Sequence, residues 1–538
     1  TEGNPLFIAE VLRIVAETGS TDGLPDSLGT LVTSSIDALP SLTKRILRYA
    51  SVLGRSFRAS AINEILAADD LELDAATREL LGDFLEPSGD GAFRFRTAMV
   101  RDVAYDGLSF RRREDLHRRA ARAIENTRTG SPEDAADQLA MHYSLGNDHE
   151  NTWRYAITAA ERAAKAFANS EAATQYERAI AAGRRLDGVD QRALASAWTK
   201  LGDVREQAGR FDDALDAYRH ASRLIQDDPV EQAELLLKRA WVRERAANYP
   251  MALREATGAR AAVDDVPREV RDRIDARATA FQALVRLRQG KLSDAFRRAE
   301  AAAETAREVD EKAALARASS VMAWTRVMAD DPAAMELCEQ ALALYEQLGD
   351  LIGQNDMNNN LGVLAYFDNR WDDAVSYYER SRDGADRVGN VVDVGFAEAN
   401  LGEVLVNQRR FDEAEENLSS AVRVLRATGE VSMANFAEIQ LARVFIGRGD
   451  HERAQELLDA VIAESTELGF PANAAEAAYF FAESVLEAGD SKAALEQLQV
   501  ANERAGEEAA MFSLLDARLR GLALCRSGRV DEAIEALE

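Results

Sequence analysis

The sequence LGVLAYFDNRWDDAVSYYERS (Leu361–Ser381) returns forty residues later as LGEVLVNQRRFDEAEENLSSA (Leu401–Ala421). Both copies begin with Leu-Gly, place an aromatic residue nine positions after the glycine, and place an alanine three positions beyond that. A tyrosine or a leucine follows four residues after the alanine. Similar segments begin at Leu201, Leu441 and Phe481, and self-similarity at a fixed period indicates a repeat architecture.

The alanine of this pattern marks the repeat along most of the chain. It recurs at intervals of 38 to 43 residues. The ten marker alanines are Ala172, Ala214, Ala252, Ala295, Ala334, Ala374, Ala414, Ala454, Ala494 and Ala533. A single pair of short helices cannot bury its apolar face, so neighbouring pairs must stack. The sequence therefore predicts an all-α, right-handed solenoid of about ten hairpins, each close to forty residues long.

Small residues at fixed places predict how the two helices of each hairpin meet. We expect Gly362 to let the second helix approach closely, because a Cβ there would hold the backbones apart. Ala374 plays the same role from the second helix, and Trp371 covers the seam at the turn. The copies at Leu201 and Leu401 repeat all three features.

Composition and charge narrow the classes of partner. The chain has 538 residues, 46% of them hydrophobic, and a formal charge of −28. Residues 1–130 carry 17 basic and 20 acidic side chains, whereas residues 131–538 carry 48 and 73. Because the acidic surface predicted for residues 131–538 repels phosphate backbones, we do not expect nucleic acid to bind the repeats. Two cysteines and no apolar run of about 20 residues predict a cytoplasmic protein without a membrane span.

The first 130 residues lack the period and have a different character. FLEPSGDGAFRFR (Phe84–Arg96) places two short apolar runs around Ser-Gly-Asp-Gly, which predicts a β-hairpin. Helical patterns precede it, and two more follow at 97–107 and 110–125. Helices followed by a hairpin and further helices predict a winged-helix-like module over residues 36–130.

Two resemblances follow from these residues. The pattern LG…(F/W)D-x-A…Y…A over residues 131–538 resembles the tetratricopeptide repeat, with a unit longer than the usual 34 residues. Residues 1 to about 130 resemble the tail of a bacterial STAND-type regulator, a signal transduction ATPase with numerous domains. The strings that carry this second resemblance are GNPLF (from Gly3), LPDSL (from Leu24), ASVLGRSF (from Ala50), FRFRTAMVRDVAY (from Phe93) and RRREDLHRRAARAIE (from Arg111).

The STAND resemblance implies a nucleotide switch outside this chain. It implies that residues 1–35 are the helical end of a nucleotide-binding module, with Gly3, Asn4 and Pro5 against the adenine. The family commonly has a histidine that can contact the ADP phosphate where this chain has Thr97, a departure from the family's sensor pattern. No GxxxxGK(S/T) phosphate loop occurs in the sequence. We expect no cofactor in this chain, ATP or ADP in an intact longer protein, and a cyclase or LuxR-like output domain.

Several other residue groups have both a chemical and a plain structural interpretation. His142 and His149 lie seven residues apart, without the further ligands of a metal site, so a packed or solvated pair is favoured. Cys338 and Cys525 are interpreted as small core residues. An arginine cluster at 94–122, with nine basic and four acidic side chains, suits docking onto an acidic surface better than DNA contact.

Asparagines in the repeat provide the candidate binding site. Asn360 and Asn400 both precede Leu-Gly, on the first helix of their hairpins, where we expect them to face the concave surface. An amide there can donate to and accept from an extended peptide backbone, although it could also bridge neighbouring repeats. The weaker companions of this pair are Asn359, Tyr366, Tyr377 and Arg380.

The favoured function is the sensor region of a STAND-type signalling ATPase. In this hypothesis, a protein or peptide partner, or a small-molecule inducer, binds on the repeats and biases the nucleotide switch, which relays the signal to an output domain. The alternatives are a tetratricopeptide interaction scaffold without a switch, or the sensor of a LuxR-like transcription regulator. We expect no catalytic activity in this chain, because no grouping of catalytic side chains emerges from the sequence.

Overall fold

The computed structural model describes residues 28–89, 91–127, 131–329, 331 and 333–537, and it confirms the all-α class with one small sheet. The chain forms two compact units, residues 1–248 and residues 249–538. Gly3, Asn4 and Pro5 lie outside the described residues, as does most of the segment 1–35.

The first unit begins with a module of helices around a three-stranded sheet. Its helices are α1 (Leu28–Asp37), α2 (Ser41–Val52), α3 (Ala59–Ala67), α4 (Ala75–Leu80), α5 (Ala98–Asp106) and α6 (Phe110–Thr127). Its strands are β1 (Ser56–Arg58), β2 (Leu85–Pro87) and β3 (Ala92–Phe95), in the order β1-β3-β2 and antiparallel throughout. Ile46, Leu47, Ile62, Ile65 and Phe95 are fully buried in its core.

The β-hairpin expected around Ser-Gly-Asp-Gly is present. Leu85 pairs with Phe95, and Pro87 with Phe93. Gly89 and Gly91 adopt φ of +77° and +69°, a left-handed conformation that glycine adopts without strain. Strand β1 adds a third member that the sequence pattern did not indicate. The assignment of this module as a winged helix stays a prediction.

The arginine cluster is largely engaged inside this module. Arg112 and Arg119 both pair with Asp69, at 2.6 and 3.1 Å, and Arg113 pairs with Asp106 at 3.0 Å. Arg101 donates to the backbone oxygen of Ser51, which ties α5 to α2. Most of these positive charges therefore hold the helices of the module together.

A buried histidine pair joins α6 to α7, and it corrects the pairing expected from the sequence. His142 lies against His117, with 3.0 Å between their Nδ1 atoms, and not against His149. The Tyr105 hydroxyl is 2.9 Å from His117 Nε2. Burial lowers the pKa of His117 to about 3 and that of His142 to about 4. The seven-residue spacing does not bring His142 and His149 together, because His142 is buried in the core while His149 begins the next helix.

Helix hairpins fill the rest of both units. In the first unit the helices are α7 (Ala136–Leu145), α8 (His149–Lys165), α9 (Asn169–Gly183), α10 (Gln191–Gln207), α11 (Phe211–Leu224) and α12 (Pro229–Arg245). The second unit begins with α13 (Tyr249–Ala262), α14 (Arg268–Arg288), α15 (Leu292–Glu308), α16 (Lys312–Val327), α17 (Ala333–Leu348), α18 (Leu351–Phe367), α19 (Trp371–Val388) and α20 (Val391–Asn407). It continues with α21 (Phe411–Thr428), α22 (Val431–Arg448), α23 (His451–Leu468), α24 (Pro471–Glu487), α25 (Ser491–Ala505), α26 (Ser513–Arg526) and α27 (Val530–Leu537). Short 3₁₀ turns at Pro132–Ala135 and Gly506–Phe512 complete the secondary structure.

The marker alanines confirm the repeat. Each of the ten lies on the second helix of a predicted hairpin and is buried, nine of them completely. Turns within the hairpins place one residue in the left-handed region, as at Gly209 (φ +72°), which ends the first helix as expected. Arg409 occupies the equivalent turn position with φ +61°.

Two details of the expected packing are corrected. A Cβ on Gly362 would meet the Tyr378 ring at 2.6 Å, so a side chain, rather than the backbone of the second helix, fills the space beside the glycine. Cys525 is exposed near the end of α26, whereas Cys338 is buried as expected. Cys525 therefore does not belong to the core, to which α26 contributes Leu519, Ala523 and Leu524.

Candidate functional site

A cavity of about 450 Å³ opens on the second unit, between the first helices of four consecutive hairpins, α14, α16, α18 and α20. Thirteen of its fourteen lining residues come from these first helices. The lining residues are Leu284, Leu287, Arg288, Ser320, Val321, Trp324, Asn355, Asp356, Met357, Asn359, Asn360, Ser381, Asp393 and Phe396.

The helical period explains why polar side chains of α18 point into this cavity. Asp356, Asn359 and Asn360 are spaced i, i+3 and i+4, so they share one face of the helix. Leu361 and Gly362 lie on another face and are buried. Gly362 lies against Tyr378 of the second helix of the same hairpin, and Leu361 packs with Ala323 and Cys338 of the preceding hairpin. The apolar stripe that packs the hairpin therefore fixes which polar residues face the cavity.

The two asparagines predicted for binding are arranged differently. Asn400 Nδ2 donates to Asn359 Oδ1 at 3.0 Å, which links α20 to α18. Within the described part of the chain, the Asn360 amide has no hydrogen-bond partner, and it lines the cavity. Asn400 therefore bridges two repeats, one of the alternatives considered for it, while Asn360 keeps its donors and acceptor available.

Asp356 is the unusual charge of the cavity. Its carboxylate makes no hydrogen bond or ion pair with any residue that the structure describes, although it is open to solvent within the cavity. Desolvation by the surrounding protein and, to a smaller extent, the nearby Asp393 carboxylate together raise the pKa of Asp356 to about 6. Arg317 and Arg288 act in the opposite direction, without cancelling the shift.

A second polar group lies further along the first helices and is internally satisfied. The Tyr366 hydroxyl donates to Glu403 at 3.0 Å and accepts from Asn407 at 2.9 Å. Arg443 donates to Asn407 Oδ1 at 2.7 Å, and its guanidinium lies 4.7 Å from the Phe480 ring centroid. We call this group, with Gln440 and Glu476, the polar ladder.

Two carboxyl groups in the polar ladder are perturbed. Gln440 Nε2 donates to Glu476 at 3.1 Å, and Arg443 donates to Gln440 at 2.6 Å. Desolvation raises the pKa of Glu476 to about 7, with Glu403 adding to the shift. Desolvation also raises the pKa of Glu403, against the attraction of Arg443. These two carboxyl groups share one arginine, so the ladder can hold a proton near neutral pH.

The remaining predicted site residues lie elsewhere. Tyr366 belongs to the polar ladder and does not line the cavity. Tyr377 and Arg380 are on the second helix α19, where the guanidinium lies 5.8 Å from the ring centroid. The structure therefore brings Asn359, Asn360 and, through its hydrogen bond, Asn400 to one place, and leaves the other three outside it.

Sequence reasoning missed the acidic residues of the first helices. Asp356 and Glu476 stand 120 residues apart, three repeats, at the same register position four residues before Asn360 and Phe480. Aligning the repeats by the Leu-Gly motif would have shown these acids on the same face as Asn360. They were missed because the same position holds phenylalanine in the two repeats between them.

Two further kinds of feature, a metal site and a membrane-spanning helix, were looked for among the described residues. Within the described residues, no group of three or more histidine, cysteine, aspartate or glutamate side chains is arranged to hold a metal ion. Among the described helices, none is both long and apolar enough to cross a membrane.

Comparisons with known proteins identify the repeat. One tetratricopeptide repeat model matches residues 195–228 and another matches residues 354–427. No curated protein matches the chain significantly.

Three solved structures illustrate what the fold of this chain is similar to. One is a signal transduction ATPase with numerous domains carrying a tetratricopeptide repeat sensor, from Pyrococcus horikoshii, at 14% identity and a TM-score of 0.44. That match covers 86% of this chain and 68% of the other. A Rap protein complexed with competence and sporulation factor matches at 15% identity and TM-score 0.37, covering 64% of this chain and 94% of the other. Aspartyl phosphate phosphatase F from Bacillus subtilis matches at 13% identity and a TM-score of 0.38, and that match covers 65% of this chain and 88% of the other.

These structural similarities are too weak to assign a function, since every TM-score is below 0.5. The sequence matches are specific to the repeat and agree with the buried alanines at a period near forty residues. Residues 195–228 in the first unit and 354–427 in the second are therefore tetratricopeptide repeats.

Proposed function

We propose that the second unit binds a protein or peptide partner along its first helices, and that this binding is the sensor function of the chain. The observation that carries the proposal is the cavity between α14 and α20, where the Asn360 amide has no partner among the described residues. A free amide beside apolar side chains suits an extended backbone, because it can donate and accept at once. The Asn359–Asn400 bridge holds the neighbouring helices in register beside it.

Selection of peptides by the full chain tests this binding function. A random library of immobilised decapeptides would be incubated with the wild-type chain and with Asn360→Ala. Asn417→Ala is the matched control, because Asn417 is a partly exposed asparagine on the second helix α21, outside the cavity. We expect the wild type and the control to enrich a common set of sequences, and Asn360→Ala to bind that set at least tenfold more weakly, the cost of one or two buried hydrogen bonds. Equal binding by all three would overturn the proposal.

We further propose that the module of residues 28–127 relays this binding to a nucleotide switch in a longer protein. The support is the set of strings that resemble STAND-type regulators, together with the compact core that ties α2, α5 and α6 to the small sheet. A ligand can bias such a switch only through its different affinities for the two states. ATP or ADP would bind outside the described residues, and this chain would contribute no catalytic group.

Nucleotide affinity of the intact protein, measured by calorimetry with and without residues 131–538, tests the relay. A change in ADP or ATP affinity on deletion supports coupling between the repeats and the switch. Unchanged affinities, or no nucleotide binding by the intact protein, would leave a tetratricopeptide interaction scaffold without a switch. A helix-turn-helix or a cyclase domain in the intact protein would identify the output.

A further inference from the structure

We propose that the cavity between α14 and α20 receives the side chain of a lysine or arginine of the bound peptide, with Asp356 as its counter-ion. This inference rests on the proposed peptide-binding function and names the residue class that the site selects. Four properties of the cavity carry it, and their residues lie on the first helices α14, α16, α18 and α20.

The first property is the unpaired carboxylate. Most acidic side chains on the first helices have partners of their own: Glu403 accepts from Tyr366, and Glu476 accepts from Gln440. Asp356 has none among the described residues, and it lines the cavity. A carboxylate that faces the cavity without a protein partner is available to pair with a cation that enters it, and such charge-assisted hydrogen bonds are among the stronger polar contacts.

The second property is the surrounding charge. Asp393 also lines the cavity, and its carboxylate raises the pKa of Asp356. Asp350 acts in the same direction from further away. Arg288, which also lines the cavity, and Arg317 oppose them. The lining still carries two carboxylates, Asp356 and Asp393, against one guanidinium, Arg288, so its net charge is negative and favours a cation.

The third property is the apolar and aromatic lining. Trp324 and Phe396 line the cavity together with Leu284 and Val321. Lysine and arginine carry an apolar stem below a charged head, and the head is attracted to the face of an aromatic ring. A lining that combines a carboxylate with aromatic rings suits both parts of such a side chain.

The fourth property is the position of the amides. Asn360 lies four residues after Asp356 on α18, one turn away on the same face, and also lines the cavity. A peptide backbone hydrogen-bonded to Asn360 would place a side chain within reach of the Asp356 carboxylate. The volume of about 450 Å³ is sufficient for one long side chain and the adjoining backbone. A free amine lacks this backbone, so the geometry favours a peptide.

Positional-scanning hexapeptide libraries test the inference. Acetylated and amidated libraries with one fixed residue would be titrated into the fluorescently labelled full chain, and into Asp356→Asn, Asp356→Arg and Asp459→Asn. Asp459 is an exposed aspartate on α23, without partners among the described residues and outside the cavity, so its variant controls for loss of one negative charge. Thermal denaturation confirms that each variant is folded.

We expect the wild type and Asp459→Asn to bind libraries with fixed lysine or arginine about tenfold more tightly than those with fixed alanine, which is about 1.4 kcal/mol. The preference should fall to within about twofold in Asp356→Asn and change to fixed aspartate or glutamate in Asp356→Arg. Peptide binding without a basic preference, or a preference that Asp356→Asn retains, would overturn this inference and leave the proposed function standing. No binding of any library would overturn both. Competition by free agmatine at concentrations that match the peptide would overturn the choice of a peptide side chain.

Discussion

The ring of Tyr378 occupies the space beside Gly362 that a Cβ would need, with 2.6 Å between the ring edge and the position of that missing atom. Tyr378 is buried, so the ring has little freedom to move away. The same relationship joins Gly202 to Tyr218, and Leu418 takes the place of the tyrosine beside Gly402. The repeat therefore pairs a glycine on the first helix with a large side chain on the second.

Gly362→Ala is expected to destabilise the second unit by about 1–2 kcal/mol. Overpacking against a buried ring costs about 1–3 kcal/mol, and the better helix propensity of alanine returns up to about 1 kcal/mol. Urea unfolding followed by circular dichroism measures the change. In a Tyr378→Ala background the same substitution should be neutral or stabilising, because the ring is gone. Additive effects of the two substitutions would contradict this account.

Thr97 has a structural role in the first unit. Its side-chain oxygen accepts a hydrogen bond from the Val100 backbone N–H at 3.2 Å, and it caps the N-terminus of α5. Thr97→Ala should therefore destabilise the first unit by about 1 kcal/mol, whereas Thr97→Asp should be nearly neutral. Hydrogen exchange at the first turn of α5 provides the measurement. Equal exchange in wild type and Thr97→Ala would show that the cap is dispensable.

The repeat and its register were predictable from sequence because they depend on small residues that packing requires at every turn of the pattern. Ala374 and Gly362 recur at a fixed distance wherever helices must approach closely. The third strand β1 was missed because Ser56–Arg58 is three residues long and shows no alternation on its own.

The binding face was only partly predictable. Asn360 was found because asparagine before Leu-Gly recurs in the next repeat, whereas Asp356 has no such recurrence in its neighbours. Tyr377 and Arg380 were chosen for their chemistry, yet they lie on the second helix, away from the cavity. Residue type alone shows neither the helix nor the face on which a side chain lies. The position along the repeat relative to Leu361 and Gly362 identifies the first helix, and the helical period then identifies the face.

The histidine pair predicts how the stability of the first unit depends on pH. Burial holds the folded-state pKa of His117 and His142 well below 6.5, and Arg101 and Arg113 add to the effect on His117. The unfolded chain therefore binds more protons between about pH 4 and 6.5, and stability should fall as the pH decreases through that window. The free energy of unfolding of wild type and His142→Gln, measured from about pH 7.5 to 4.5, should show a shallower slope in the variant. Parallel slopes would contradict the assignment.

Glu476 predicts a pH dependence of the opposite sign in the second unit. Its folded-state pKa of about 7 lies above the 4.5 of an unperturbed glutamate, because desolvation and Glu403 outweigh Arg443 and Gln440. The native state therefore binds the extra proton between about pH 4.5 and 7, and stability is lost as the pH rises through that window. Glu476→Gln keeps an acceptor for Gln440 and removes the charge, so it should stabilise the chain by about 1–2 kcal/mol near pH 8.5, with little difference near pH 4.5.

Glu456→Gln, an exposed position on α23, is the matched control and should leave the denaturation midpoint unchanged at both pH values. A Glu476→Gln variant that is less stable near pH 8.5 would show that Arg443 compensates the ionised pair, and that the polar ladder holds no proton near neutral pH.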